Sequence, residues 1–221
     1  MFAVVFDFDG TILDSETAEF ESHQQIFSEC GATLTVEEWC EGIGIVQPED
    51  HWFVRLCARA TNPPTDYTQF TERRRAYFRT RIRWDPMPGI GGLLDELTAA
   101  RVPCAVASTA SGDWVVRALG DMGLAPRFDA VVTGDQVEHG KPAPDVYLEA
   151  ARRLGVDPGS CVAVEDSGPG LAAAGAAGMK TVAIPHTLSV THDFAGADLR
   201  VSHAGELTLA RLRRLIDSNG L

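Results

Sequence analysis

Two carboxylates stand two residues apart, Asp7 and Asp9, where an apolar run of Val4, Val5, Phe6 and Phe8 meets Gly10-Thr11. Such a run is expected to be a buried parallel strand that stops in a turn. Period two puts Asp7 and Asp9 on one side of it. Gly10 lets the chain turn sharply and lets a ligand approach the backbone. A carboxylate buried there is costly unless it is paired or bound to a cation. The plain alternative is a strand that ends in a polar turn.

Three other segments carry chemistry at the expected end of a strand. Val106-Ala107 runs into Ser108-Thr109-Ala110-Ser111, where hydroxyls and free backbone N–H groups leading into a helix suit an anion. An ordinary helix cap is the alternative and needs one hydroxyl. Val131-Val132-Thr133-Gly134 leads to Gly140-Lys141-Pro142-Ala143-Pro144-Asp145. Val162-Ala163-Val164 ends in Glu165-Asp166-Ser167-Gly168 and again brings two carboxylates to a strand end. Carboxylates clustered with so little compensating charge call for a hard divalent cation. Mg²⁺ is the usual one where phosphate is also bound. Lys141 and the hydroxyls would then hold the anion.

The elements that position these residues follow from the pattern. Residues 13–84 read as helical and as an inserted unit, with helices at 16–30, 35–41, 48–60 and 66–83. Asp14 or Ser15 can cap the first, and Gly31 stops it. Asp85-Pro86-Met87-Pro88-Gly89 is a proline-punctuated return to the core. Helices then alternate with strands: helices 91–101, 113–122, 144–154, 169–178 and 207–216, and strands 102–107, 130–133, 161–165, 181–184 and 199–201. That alternation implies right-handed crossovers and a parallel sheet. Ligands bind such a sheet beyond the carboxyl ends of its strands. The expected fold is α/β, a Rossmann-like three-layer core with a central parallel sheet, formed by residues 1–14 and 86–221. A helical cap domain, residues 15–85, is inserted in it.

Composition narrows the classes of partner. The 221 residues carry a formal net charge of −12, which argues against nucleic-acid and anionic-membrane surfaces. No apolar stretch is long enough to span a membrane. The first residues lack the basic region of a signal peptide. Five scattered cysteines, Cys30, Cys40, Cys57, Cys104 and Cys161, have no paired spacing and read as reduced thiols of a cytoplasmic protein. Arginine supplies 17 of the 19 basic residues, and none precedes Arg55. Arg73, Arg74, Arg75, Arg79, Arg81 and Arg83 form a run that reads as the solvated face of a helix. A phosphate clamp is its alternative.

Asp7-Phe8-Asp9-Gly10-Thr11, Ser108, Lys141-Pro142 and Glu165-Asp166 together resemble the four motifs of the haloacid dehalogenase superfamily of hydrolases. Leu13-Asp14-Ser15-Glu16 and the helical insertion resemble its phosphoglycolate phosphatase and β-phosphoglucomutase branch. So do the longer runs Gly140 to Asp145 and Glu165 to Gly170. The resemblance spans nearly the whole chain and implies a Mg²⁺-dependent phosphatase of a small phosphate monoester. The substrate would be a sugar phosphate or a phosphoglycolate-like ester. By that resemblance Asp7 is the nucleophile, forming an aspartyl-phosphate, and Asp9 the general acid and base. Ser108 and the Thr109 backbone bind phosphate, and Lys141 neutralises Asp7 and the transferring group across a cis Lys141-Pro142 bond. Asp166 and Glu165 complete a metal site with Asp7 and the Asp9 carbonyl. A small-molecule ester is the expected partner, and the chain a monomer or homodimer.

A phosphosugar mutase is the alternative within that branch. It needs a cationic clamp for a second phosphate, part of it in the loop at residues 42–50. That loop has no basic residue but has Glu49 and Asp50, so hydrolysis is the expectation. The arginine run could supply a clamp only by turning inward. Gly168-Pro169-Gly170-Leu171-Ala172-Ala173 resembles a dinucleotide-binding turn, the mark of an oxidoreductase. However, acidic residues separate it from its strand, and no acid ends the next one.

Overall fold

The computed structural model describes residues 2–45 and 47–217. Strand β1, Ala3–Phe6, has every residue buried. The chain leaves it through Gly10, which turns with φ +84°. It then enters four helices: α1 (Ser15–Glu29), α2 (Val36–Cys40), α3 (His51–Cys57) and α4 (Tyr67–Arg81). The entry and exit of this helical unit run side by side. Leu13 bridges both Asp9 and Pro86, and the Met87 N–H donates to the Ile12 carbonyl at 2.8 Å. Asp14, not Ser15, caps α1, accepting from the Thr17 N–H at 3.1 Å. Thr35 and Glu38 form a capping box on α2, which satisfies two of the unpaired donors of that helix start.

The helical unit has a hydrophobic core of its own, built on Phe20, Ile26, Phe27, Leu34, Trp39, Leu56 and Phe70. Arg73 and Arg74 of α4 pair with Glu29 and Glu19 of α1. Part of the arginine run therefore faces its neighbouring helix, while Arg75 and Arg79 stay exposed. His23 lies inside this core, 5.0 Å from the Trp39 ring and 5.7 Å from Phe70. Its Nδ1–H donates to the Glu19 carbonyl at 2.8 Å.

Burial pushes the His23 imidazole down from 6.5 to about 4. The unfolded chain therefore takes up this proton first as pH falls. The contribution is complete above pH 6.5 and is lost progressively as pH falls through 4. It amounts to about 3 kcal/mol. In His23→Leu, the fall of the melting temperature across that window should be visibly shallower than in the parent chain. Parallel melting curves for both proteins would show the assignment to be wrong.

After α5 (Ile90–Ala99) the core alternates strands β2 (Cys104–Ala107), β3 (Ala130–Val132), β4 (Cys161–Glu165), β5 (Lys180–Ala183) and β6 (Leu199–Arg200) with helices. These are α6 (Gly112–Asp121), α7 (Asp145–Leu154), α8 (Gly168–Ala176) and, after β6, α9 (Leu209–Asp217). The sheet is six-stranded and parallel, ordered β3-β2-β1-β4-β5-β6. Val4 is level with Cys104 on one side and Val162 on the other. Period two divides β1 between two layers. Val4 and Phe6 pack with Leu93, Leu97, Val115 and Leu212 of α5, α6 and α9. Ala3 and Val5 pack with Val146, Tyr147 and Ala173 of α7 and α8. The fold is thus the expected three-layer α/β arrangement. The strand order reverses at β1, between β2 and β4, which opens a crevice at their carboxyl ends. No described helix is long and apolar enough to cross a membrane.

Candidate active site

β1 delivers Asp7 and Asp9 into that crevice. The Asp7 N–H extends the sheet by one bond, donating to the Val164 carbonyl at 2.9 Å. β2 delivers Ser108 and Thr109, β4 delivers Glu165 and Asp166, and Lys141 arrives from the loop before α7. Asp7, Asp9, Ser108, Thr109, Lys141 and Asp166 line one cavity of about 250 Å³. Ser111 does not line it. Gly42, Ile43, Gly44 and Ile45 of the helical unit close the cavity over, and Glu16 of α1 faces into it. A larger cleft of about 850 Å³ between α2 and α8 has walls that include Leu171, Ala172 and Pro169 and contains none of these six residues.

The Lys141-Pro142 peptide is cis, and the Lys141 side chain is 2% exposed. Its ammonium donates to Asp7 Oδ1 and, at 2.6 Å, to Glu165 Oε1. Glu165 is fully buried, and both its oxygens are occupied. Oε1 also accepts from the Tyr147 hydroxyl at 2.5 Å, and Oε2 accepts from the Ser167 N–H and Oγ at 3.2 and 3.1 Å. A Cβ on Gly170 would run into this carboxylate. Gly170 belongs to the dinucleotide-like turn, so the glycine there makes room for Glu165. Lys141 is thereby held between two carboxylates, with its ammonium 5.0 Å from the centre of the Tyr147 ring.

Asp7, Glu165 and Asp166 each offer a carboxylate oxygen, and these atoms lie within 4.8 Å of one another. One ammonium cannot offset three carboxylates. Burial first, then repulsion from Glu165 against the pull of Lys141, raises Asp7 to about 7. Burial first, then the charges of Asp7, Glu165 and Glu16, hold Asp166 well above the usual carboxylate range against the pull of Lys141. Asp166 Oδ2 is buried with no hydrogen-bond partner, and a Cβ at Gly10 would collide with it. An orphaned buried oxygen beside a second carboxylate, in an all-oxygen set, fits a hard divalent cation. Asp7 and Asp166 have oxygens to spare for it. Glu165, also read above as a metal ligand, spends its oxygens on Lys141, Tyr147 and Ser167.

Asp9 is oriented from two sides. Its Oδ1 accepts from the Ser15 hydroxyl at 2.5 Å and from the Trp114 indole N–H at 3.0 Å. Burial raises its pKa against both bonds. Glu16 is half-buried and lines the cavity. Burial and the nearby Asp9 lift it to about 8, while Trp39 Nε1 donates to it at 3.2 Å. The sequence pointed to Glu16 as a helix start and as part of the Leu13-Asp14-Ser15-Glu16 run but not as a cavity residue, and it did not single out Tyr147 or Trp114. A tyrosine in the buried stripe of α7 needs a hydroxyl partner, and that was the available signal for Tyr147.

Residues 4–184 match the family model described as haloacid dehalogenase-like hydrolase. The Bacillus subtilis protein YhcW is 36% identical over 95% of each chain. The Escherichia coli fructose-1-phosphate phosphatase YqaB is 32% identical over 81% of this chain and 94% of its own. The crystal structure of CbbY from Rhodobacter sphaeroides with phosphate superposes with a TM-score of 0.77. It is 30% identical and covers 96% of this chain and 100% of that one. β-Phosphoglucomutase of Clostridium difficile, at 20% identity, shares the fold with a TM-score of 0.78 over 99% and 98% of the two chains. The chain belongs to the haloacid dehalogenase-like hydrolases, in their phosphoglycolate phosphatase and β-phosphoglucomutase-like branch.

Proposed function

We propose that this phosphoric monoester hydrolase cleaves a small sugar phosphate through a phosphorylated Asp7, with Mg²⁺ as its metal. The observation that carries the reading is the pairing of Asp7 with Lys141 beside the unpartnered oxygen of Asp166. Asp7 attacks phosphorus, and the bond from phosphorus to the ester oxygen breaks. Asp9 delivers a proton to that departing oxygen, then takes one from the water that attacks the phosphoaspartate. Its raised pKa suits a carboxyl group that must carry a proton at the start. Ser108 and the Thr109 N–H hold phosphoryl oxygens, and Lys141 offsets the charge on Asp7 and on the group in flight. Asp7 and Asp166 would hold the cation with the Asp9 carbonyl, and when bound it neutralises charge on the phosphoryl oxygens. Glu165 keeps Lys141 aimed. Residues 15–85 act as the cap and 1–14 with 86–221 as the catalytic core.

The cap side of the cavity favours hydrolysis over mutase transfer. Its wall is Ile43, Ile45 and two glycines, and its one ionisable group is Glu16. Glu49 and Asp50, expected to repel a second phosphate, do not line the cavity. The Glu49 carbonyl instead accepts from the Tyr67 hydroxyl on the cap surface. Val46 lies outside the described residues. The cap wall therefore offers a second phosphate no cation, and Glu16, held mostly protonated by its raised pKa, donates well to a sugar hydroxyl. None of the arginines at 73–83 reaches this cavity among the described residues. Incubation with β-glucose 1-phosphate, a trace of the bisphosphate and Mg²⁺ tests the reading. Free phosphate should outrun glucose 6-phosphate, and excess chelator should stop its release. The reverse order of products would establish the mutase, and full rate in chelator would remove the metal.

A further inference from the structure

The arginines that the active site leaves unused line a second crevice. It measures about 560 Å³ and lies between α4 of the cap and α6 of the core. Arg74, Arg75 and Arg79 enter it from α4, and Arg117 from α6. Of its two carboxylates, Glu19 pairs with Arg74 through Oε1 and keeps a buried Oε2 without a hydrogen-bond partner, and Asp121 lies 3.8 Å from Arg117; the four arginines still outnumber the two acids. Arg75 and Arg79 have no ion-pair or hydrogen-bond partner among the described residues. Two positive charges therefore face this space uncompensated, in a chain whose net charge is −12.

The remaining walls are flat and apolar. Trp114 meets Phe78 edge-on with ring centres 5.6 Å apart, and Trp84 lies 5.9 Å from Trp114. All three aromatic rings are only partly buried. Guanidinium groups bind phosphate through paired N–H donors, and exposed indole faces take a planar ring. A solvated helix face needs neither a concavity nor aromatic walls drawn from two domains.

We propose that this crevice is a second anion site, for a small oxyanion-bearing molecule with a planar ring, an aryl phosphate or nucleotide being the class. Arg75 and Arg79 take its charged group, and Trp84 and Trp114 its ring. Because these two arginines come from the cap and Trp114 from the core, the occupant bridges the two.

Phenylphosphonate is the probe, since its carbon–phosphorus bond is not a substrate for ester hydrolysis. In ¹⁵N-labelled protein the indole N–H signals of Trp84 and Trp114 should both move on titration. Those of Trp39 and Trp52, stacked on each other inside the cap, should stay. The variant Arg75→Gln/Arg79→Gln should need at least about tenfold more probe, the loss expected for two charge-assisted contacts. Three results would overturn the site. One is a still Trp84 signal up to about 10 mM probe, the weak limit of specific binding. Movement of Trp114 alone would place the probe at Asp9 instead. Equal shifts with benzyl alcohol would reduce the crevice to an apolar dent.

Discussion

Asp7→Asn is expected to lower turnover by about four orders of magnitude or more, the scale of losing a covalent nucleophile. The substitution keeps the shape of the side chain and its place after β1. What it removes is a negative charge and a nucleophilic oxygen. The amide still accepts a hydrogen bond from Lys141, which also keeps Glu165. Folding should not suffer, because one of three crowded, buried carboxylates is gone. Repulsion that now raises both Asp7 and Asp166 is relieved. The melting temperature of the metal-free variant should therefore equal or exceed that of the parent. Initial rates of phosphate release, read beside thermal unfolding, check both halves. Residual activity above about one percent would remove Asp7 as nucleophile, because general-base help to water from a neutral amide cannot supply it.

The strands were legible because each is a short apolar run closed by a polar cluster, and the helices because glycine and proline punctuate them. The core elements fall within a few residues of the expected positions. The site was legible for a related reason. In a parallel sheet the residues after each strand must gather at one edge, so Asp7, Ser108, Lys141 and Asp166 could be grouped without coordinates. What stayed hidden depends on distances that no spacing encodes. Tyr147 and Glu165 are 18 residues apart and meet across two layers. Trp114 reaches Asp9 over 105 residues. Glu165 sits beside Asp166 and is of the same chemical type, so sequence could not tell which of the two is spent on protein donors. The hydrogen bonds separate them, since every oxygen of Glu165 has a protein donor and Asp166 keeps one with none.

The arginine run shows a second limit. Helical spacing spreads its side chains around α4, and sequence alone cannot say which face is covered. Arg73, Arg74 and Arg81 turn toward α1 and meet Glu29, Glu19 and Glu21. Arg75 and Arg79 turn the other way, toward Trp84 and Trp114. The solvated-face reading therefore holds for Arg75 and Arg79, which stay exposed, and fails for Arg73, Arg74 and Arg81, which are paired across to α1.

Lys141→Met should be damaging in two separable ways. Lys141 is the one cation at the buried cluster of Asp7, Glu165 and Asp166 among the described residues. Burial by itself would lower its pKa, yet the pull of Asp7 and then Glu165 raises it, so the ammonium stays charged. Methionine fills much of the same volume but leaves Glu165 without its charged partner in a place water does not reach. Removing one member of a buried ion pair costs about 3–5 kcal/mol. For a chain of this size that is a fall in melting temperature of about 10 °C. Turnover should also fall, by about a thousandfold, because neutralisation of the transferring group is lost. Glu165→Gln placed on top separates the two effects. The amide needs no cation, so Lys141→Met/Glu165→Gln should regain several degrees of the lost stability. It should regain none of the lost rate, since no positive charge returns to the cavity. Recovery of the rate together with the stability would mean that Lys141 only holds the fold. A double variant no more stable than Lys141→Met would mean that Glu165 is not the carboxylate Lys141 supports.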